Sequence, residues 1–438
     1  MGWNITTISI ALVAFAAVSA RFRVSPITPA ILFVAFGYML GPDVFDVVGS
    51  DLSMSKIRLL AEVTLALVLF TDASSLDSRV LTGEAGMPAR LLGIGLPITI
   101  VLGSLTAIWV FPALGLFEAV VLAVLLAPTD AALGQAVVSD RRLPSRVRQG
   151  LNVESGLNDG VCVPLLFAAV AFAELDQRPE FEGEILVDLV KEVGIALGVG
   201  AVVAIVVAWV FTMSDSRGWL DEQWGQVVPL AAAALAYSST AELGGSGFIA
   251  AFVAGLLYGR FVGAVVVHRT SRLMEELGGI LSAVTFFAFG AIVIDEGIID
   301  LDTETIIYAV LSLTVVRMLP VALSLVGSGA GPQTMAFAGW FGPRGLATIV
   351  FMLTVVEEAN LPGSARIVQV ATVTVLLSVV AHGVTAPVLT ERYVKWLSRR
   401  PEGLVVEPHD AATPAVTPNR GPWHRAARTD NEHTDAGR

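Results

Sequence analysis

Residues 148–167, RQGLNVESGLNDGVCVPLLF, set Glu154, Ser155, Asn158 and Asp159 inside a run that, with the apolar residues after it, is long enough to cross a bilayer. An ionisable side chain near the bilayer centre costs roughly 2.5 to 3.5 kcal/mol on insertion scales. Two carboxylates in one span therefore need a partner or a cargo. Helical spacing stacks Ser155 on Asp159 and Glu154 on Asn158, which gives two adjacent polar stripes. One stripe could face a cation and the other a fixed counter-charge. A second cluster precedes it in LLAPTDAALGQAVVSD. There Pro128 cannot donate to the carbonyl of Val124, so the helical ladder breaks at membrane depth, and Thr129 and Asp130 follow at once. A hard monovalent cation wants oxygen ligands, and Asp159, Asp130, Ser155 and the Thr129 carbonyl could supply them.

The run AFAGWFGPRGLATIVF repeats the break, with Gly339, Gly342 and Gly345 around Pro343 and with Arg344 in the gap. Broken backbone at that depth is tolerated where it is buried in protein or lines a cavity. Half-helix ends bring partial charge to whatever lies between them. Arg317, in LSLTVVRMLPVAL, needs an anion. Glu154 is the natural candidate, which leaves Asp159 free for chemistry, and Arg344 could neutralise the carbonyl end of a half-helix. Asp72 lies at the end of its span and reads as an interfacial or gate residue. Glu62 and Glu242 fall near span ends and read as solvated. His382, in VVAHGVTAP, reads as a hydrogen-bonded packing residue, with pH sensing as the sharper alternative. Gly93 with Gly95, and Gly194 with Gly198, suit close helix packing.

The elements that must position these residues are membrane helices. The 438-residue chain is 55% hydrophobic and only 15% charged, where soluble domains carry about 25% charged residues. We therefore expect an all-α polytopic membrane protein. Apolar windows of roughly 17 to 25 residues give about thirteen transmembrane helices, centred near Ile10, Phe33, Ala66, Ile98, Val124, Val161, Ala201, Ala233, Val253, Phe286, Thr314, Ile349 and Val375. The N-terminal run lacks a basic n-region and is taken as the first span, not as a signal peptide. One interrupted span in each half, the fifth and the twelfth, points to inverted repeats built from spans one to six and eight to thirteen. The site would then lie where the two interrupted helices cross. Arginines and lysines gather after odd-numbered spans, at Arg21, Arg90, Arg141, Arg142, Arg146, Arg148, Arg260, Arg269, Arg272, Arg392 and Lys395, and the opposite loops are acidic. That bias places the C-terminus in the cytoplasm and the N-terminus outside, in a multi-pass cell-membrane protein. Lys56, Arg58, Arg178, Lys191 and Arg366 are the exceptions. Residues 403–438 are polar without apolar periodicity and read as a disordered cytoplasmic tail.

Several function classes drop out. A net charge of −12 without a basic patch argues against nucleic acid. The single Cys162 excludes an internal disulfide and a cysteine metal cluster. No Walker A run signals ATP driving, and HExxH is absent, so neither an enzyme nor a cofactor is expected.

The run APTDAALGQAVVSDRRLPSRVRQGLNVESGLNDGV resembles the NhaP-type monovalent cation:proton antiporters, bacterial relatives of the sodium/proton exchangers, and the resemblance extends over about residues 5–395. In that family a Thr-Asp pair in the broken fifth span faces an Asn-Asp pair in the sixth, and these look like Thr129-Asp130 and Asn158-Asp159. The preceding Glu-Ser is similar to Glu154-Ser155, its span-eleven arginine to Arg317, and its span-twelve break to the GPRG around Pro343 and Arg344. Where the family commonly has Pro after Thr-Asp, this chain has Ala131, with its proline at Pro128 instead, so the break should persist in a different shape. The resemblance implies a homodimer in the lipid bilayer, a transmembrane domain over residues 1–402 with spans 1–3 and 7–10 in its dimerisation part, and a moving core of spans 4–6 and 11–13. It also implies that Asn158 ahead of Asp159 goes with one-for-one, electroneutral exchange.

The physical logic is competition. A proton and a cation cannot hold Asp159 together, so each expels the other. If the core crosses between facings only when Asp159 is occupied, exchange is obligatory and a proton gradient drives cation export. The expected substrates are Na⁺ and H⁺, with K⁺ or Li⁺ as the alternative cations. Sodium-coupled symport of an organic anion shares the broken helices but does not need both Asp130 and Asp159 in one cavity. A channel would need a continuous polar pore.

Overall fold

Backbone surrounded by hydrocarbon must satisfy its own N–H and C=O groups, and the described residues form helices joined by short links, with no strand among them. The computed structural model describes residues 2–22, 27–42, 44–48, 54–76, 86–130, 133–138, 140–178, 180, 182–294, 301–358 and 361–399. Ala131 and the expected tail at 403–438 lie outside them. Residues 1–395 make one unit and 396–438 a second.

The helices are α1 (Gly2–Phe22), α2 (Pro29–Leu40) and α3 (Met54–Ser74), then α4 (Gly86–Val110), α5 (Leu116–Leu125), α6 (Gln135–Val138) and α7 (Ser145–Gln177). There follow α8 (Glu182–Ser216), α9 (Glu222–Glu242), α10 (Gly247–Val262), α11 (Ala264–Thr270) and α12 (Arg272–Ala288). The last are α13 (Thr303–Leu313), α14 (Val315–Ser324), α15 (Pro332–Trp340), α16 (Leu346–Glu358) and α17 (Ser364–Leu397). Among the described residues, six helical stretches, Gly86–Val110, Ser145–Gln177, Gly183–Ser216, Arg272–Ala291, Thr303–Ser324 and Ser364–Leu397, are long and apolar enough to cross a membrane by length and composition.

Helix starts follow local chemistry. Thr28, Asp221, Ser246 and Asp302 each accept an N–H from the first turn of the helix they precede, and Pro29 and Pro332 occupy first helical positions, where no N–H is needed. The chain turns by 117° between α10 and α11, at Gly263 with φ 84°, a conformation glycine adopts at no steric cost. One expected span is itself interrupted: α13 and α14 meet at Thr314, where φ is −110° and ψ −89°.

Contacts among the connecting segments sort them onto two sides. On one, Arg90 donates to the carbonyls of Ser324 and Val326, and Arg146 to that of Ser328. These basic residues thus serve carbonyls at and beyond the end of α14. Nearby in sequence, Arg142 pairs with Asp140 and Glu391, and its guanidinium holds the Asp140 carboxyl below the usual carboxylate range. On the other side, Glu118 accepts from the N–H groups of Gly115 and Gly363, and Arg366 pairs with Asp302 and lies over the Phe111 ring. Several exceptions to the charge bias are therefore neutralised locally: Arg366 by Asp302, Arg58 by Glu62 and Lys191 by Asp188.

Two sequence expectations fail. Glu62 is not solvated. It lies well inside α3, only 9% exposed, where Arg58 and the Tyr237 hydroxyl bind its carboxylate; Glu242 is exposed as expected. The glycines expected to pack closely do not: a Cβ at Gly93, Gly194 or Gly198 would meet nothing within 4 Å, and one at Gly95 only ordinary contact. One close approach is that of α10 on α3, where a Cβ on Gly255 would fall 2.4 Å from the Phe70 carbonyl oxygen and one on Gly259 2.2 Å from that of Ser74. Gly259→Val should therefore lower the melting temperature in detergent, by an overpacking cost of about 1–3 kcal/mol, while Gly194→Val leaves it unchanged. A fluorescence melting scan of the two variants checks this.

Candidate functional site

The two breaks meet and complete each other. The ladder ends at Leu125, and the carbonyl of Val124, which Pro128 cannot serve, takes the Ala127 N–H at 3.2 Å instead. The carbonyls that need partners outside the ladder lie further on. Leu125 accepts from the Thr348 hydroxyl, and Ala127 and Pro128 accept from one Arg344 guanidinium nitrogen at 3.1 and 3.0 Å. The Thr129 carbonyl accepts from the Ser155 hydroxyl. Arg344, wholly buried, therefore serves the carbonyls just beyond the C-terminal end of α5, the end that favours a cation.

The debt runs the other way as well. Asp130 accepts the Leu346 N–H on Oδ2 at 2.8 Å and the Leu133 N–H on Oδ1 at 3.3 Å, and its own N–H donates to the Pro343 carbonyl at 2.8 Å. Its carboxylate thus caps the N-terminus of α16 across the site, where a negative charge is favoured. Only glycine fits beside these contacts: a Cβ on Gly345 would lie 2.0 Å from Asp130 Oδ2, and one on Gly342 2.2 Å from Arg317 Nε.

The long helix α7 forms the remaining wall. Asn158 clasps Thr129 at two points, donating to its hydroxyl at 2.8 Å and accepting its N–H at 3.3 Å. Both ends of the amide are thereby committed to holding the first break. Arg317, from α14, grips Glu154 with both guanidinium nitrogens, at 2.5 and 2.8 Å, and both side chains are buried. The two-pronged geometry is the one guanidinium and carboxylate planes favour.

Asp159 is the carboxylate here with an unengaged oxygen, and Arg317 Nε and Arg344 Nε and Nη2 are likewise buried without a hydrogen-bond partner. Asp159 is 6% exposed, and the unengaged oxygen is its Oδ1. The carboxylates of Asp130 and Asp72 repel it and the Arg344 guanidinium attracts it. A small cavity at the breaks is lined by Thr129, Asp130, Ser155, Leu151, Phe341 and Pro343, among others. Its volume of about 10 Å³ holds about one water molecule or one small ion. Asp159 is not on this cavity's wall. Asp72, read from the sequence as an interfacial or gate residue, is half-buried near the end of α3. It lies against α7 at Gly156, where an added Cβ would come within 2.8 Å of the Asp72 Cβ and 3.2 Å of its Oδ2. The signal available was the glycine between Ser155 and Asp159, which marks where another element approaches.

This chain belongs to the sodium/hydrogen exchanger transmembrane family, whose model matches residues 8–392. Among its relatives are the K⁺/H⁺ antiporter NhaP of Alkalimonas amylolytica, 25% identical and covering 74% of this chain and 55% of that protein, and the Na⁺/H⁺ antiporter ApNhaP of Aphanothece halophytica, 25% identical and covering 89% and 73%. The chain thus spans little more than half the length of the first. The sodium proton antiporter MjNhaP1 of Methanocaldococcus jannaschii at pH 8 shares the fold, with a TM-score of 0.70 over 87% of this chain and 98% of that one at 21% identity.

Removing one partner of a buried ion pair leaves an uncompensated charge. Arg317→Ala should therefore cost about 3–5 kcal/mol of stability, read as a large fall in melting temperature. Glu154→Gln combined with Arg317→Gln should recover part of that loss. A double variant no more stable than the worse single one would show that the contact carries no coupling.

Proposed function

We propose that this chain is a secondary active antiporter that exchanges a monovalent cation, Na⁺, for H⁺ by alternating access. The observation that carries the reading is Asp159: a buried carboxylate with an orphaned oxygen, beside two helix breaks in which Asp130 is engaged by N–H groups and Arg344 by carbonyls. Ser155, Asp130 and the Thr129 carbonyl supply further oxygens, Asn158 positions Thr129, and the Glu154–Arg317 pair holds the wall. Asp72 adds a carboxylate to the same region. The confined cavity supports a small dehydrated cation over an organic anion. The relatives named K⁺/H⁺ antiporters favour K⁺ as the second reading. The transport fold needs no catalytic group and no cofactor.

On this reading the chain has thirteen spans, counting α5 with α6 and α15 with α16 as the two crossed, interrupted ones in inverted repeats. Its N-terminus is outside and its C-terminus, with a disordered tail over 403–438, is in the cytoplasm. Spans 4–6 and 11–13 form the core that moves against spans 1–3 and 7–10, which hold a homodimer together in the lipid. The basic residues that meet on one side, Arg90, Arg142 and Arg146, support this sidedness.

Asp159→Asn keeps the shape of the side chain but can neither release a proton nor supply a full negative charge. It should abolish cation-driven proton movement in vesicles loaded with a pH dye while melting and oligomeric state stay as in the parent. Normal dequenching on Na⁺ addition would remove Asp159 from the mechanism, and running K⁺ and Li⁺ in parallel ranks the cations.

Charge balance gives a second test. Asn158 precedes Asp159, Glu154 is tied to Arg317, and Asp130 is engaged by N–H donors of both breaks, so among the acids of α7 and the two breaks Asp159 is the one left to alternate between proton and cation, with Asp72 on α3 outside that set. One monovalent cation then replaces one proton and no net charge moves per cycle. The rate should not respond to an imposed membrane potential, and a solid-supported membrane should show no steady current. A sustained current scaling with transport would make Asp130 a second proton carrier.

A further inference from the structure

The second break is shaped from outside itself. α15 ends in an inverse γ-turn at Phe341, with φ −82° and ψ 63°, in which the Gly342 N–H reaches the Trp340 carbonyl at 2.9 Å. Past Pro343 the Arg344 N–H must find its acceptor elsewhere, and both needs are met by one face of α17. Ser378 Oγ accepts the Arg344 N–H at 2.6 Å, and His382 Nε2 lies 2.9 Å from the Trp340 carbonyl. His382 Nδ1 lies 3.2 Å from Ser378 Oγ and 2.9 Å from the Ser378 carbonyl. One turn further along, the Thr385 hydroxyl accepts the Trp340 indole N–H at 2.9 Å, and the indole packs on the imidazole with ring centres 5.1 Å apart. Ser378, His382 and Thr385 recur at the four- and three-residue spacing of one helix face.

Arg344 N–H gives to Ser378, and each ring nitrogen of His382 faces a carbonyl at 2.9 Å, Nδ1 that of Ser378 and Nε2 that of Trp340. With the proton on Nε2, the ring gives to the Trp340 carbonyl and Nδ1 can accept from the Ser378 hydroxyl. With the proton on Nδ1, the ring gives to its own helix at Ser378 and no longer to Trp340, so the splint requires the Nε2 proton. We propose that His382 is a positioning residue for the transport site: working through Ser378 and Trp340, it splints the second break at a fixed angle and so delivers the Arg344 guanidinium and the Leu346 N–H to the first. It touches neither cation nor proton in transit. The splint is read from geometry alone, but its consequence for transport rests on the antiport reading above.

Two measurements test it. In the full-length protein in lipid, ¹⁵N NMR of labelled histidine should show the His382 signal, assigned among the five histidines by its loss in His382→Gln, with the proton on Nε2. A proton on Nδ1 overturns the splint. In dye-loaded vesicles, His382→Leu should raise the KM for Na⁺ about tenfold, the scale on which misplaced groups act, with kcat much less changed. His382→Gln, whose amide can still give an N–H to the Trp340 carbonyl, should stay close to the parent, and the shorter His382→Asn should behave like the leucine variant. An unchanged KM in the leucine variant overturns the proposal, as do equal losses of melting temperature in all three with no difference in KM. A parent protein that moves no protons on cation addition would overturn the antiport reading instead, and the NMR result would then judge the splint alone.

Discussion

A helix that stops inside an apolar medium leaves donors at one end and acceptors at the other, and water cannot take them. This chain stops two helices at one place and lets each supply what the other lacks. Arg344, in the second break, serves the carbonyls of Ala127 and Pro128 in the first. Asp130, in the first, caps the N-terminus of α16 beyond the second. Neither half of this exchange is stable alone, since a buried arginine or aspartate without its partner costs several kcal/mol. The polar site is therefore a by-product of a backbone constraint, and its place in the bundle is fixed by where the two prolines fall.

Tolerances around this exchange are narrow. Gly345 has no room for a Cβ beside Asp130, nor Gly342 beside Arg317. Asn158 holds Thr129 by both its N–H and its hydroxyl, so α7 cannot shift by a fraction of a turn without releasing the first break. On the other flank α17 holds the second break through Ser378 and His382. The elements touching the breaks thus form one connected set, which on the proposed reading would move as a body that keeps its internal geometry.

Much of this could be read from residue types because each signal was local. Pro128 and Pro343 announce breaks whatever surrounds them, and a charge such as Arg317 in an apolar run demands an anion that few residues can supply. Signals that depend on which helix faces which were not local. Asn158 sits in a polar stripe, but that its amide clasps Thr129 depends on how α7 meets the first break. Asp72 looked peripheral because the end of α3 carries no sign that α7 passes it at Gly156. Glu62 was misjudged because nothing local tells that the Tyr237 hydroxyl of α9 reaches its carboxylate across the interface. The packing glycines were misassigned for the same reason: Gly194 with Gly198 and Gly255 with Gly259 have identical spacing, and only the neighbour across the interface tells them apart.

The inventory of buried charge has a consequence for leakage. Glu154 answers Arg317, Asp130 answers the N–H groups of α16 and of Leu133, and Arg344 answers the carbonyls beyond α5. Asp159 keeps an oxygen that nothing in the described chain engages, and although the Arg344 guanidinium attracts its charge, the carboxylates of Asp130 and Asp72 oppose it. With neither proton nor cation on it, the core would have to carry this unpaired charge through the low-dielectric barrier between the two facings. A penalty of about 3 kcal/mol, the low end for an unpaired buried charge, would slow the empty crossing roughly a hundredfold. Loading Asp159 with either substrate removes that penalty. On the proposed reading, the coupling of cation to proton thus needs no separate lock, because the same missing partner that makes Asp159 a binding site also holds back the unloaded core.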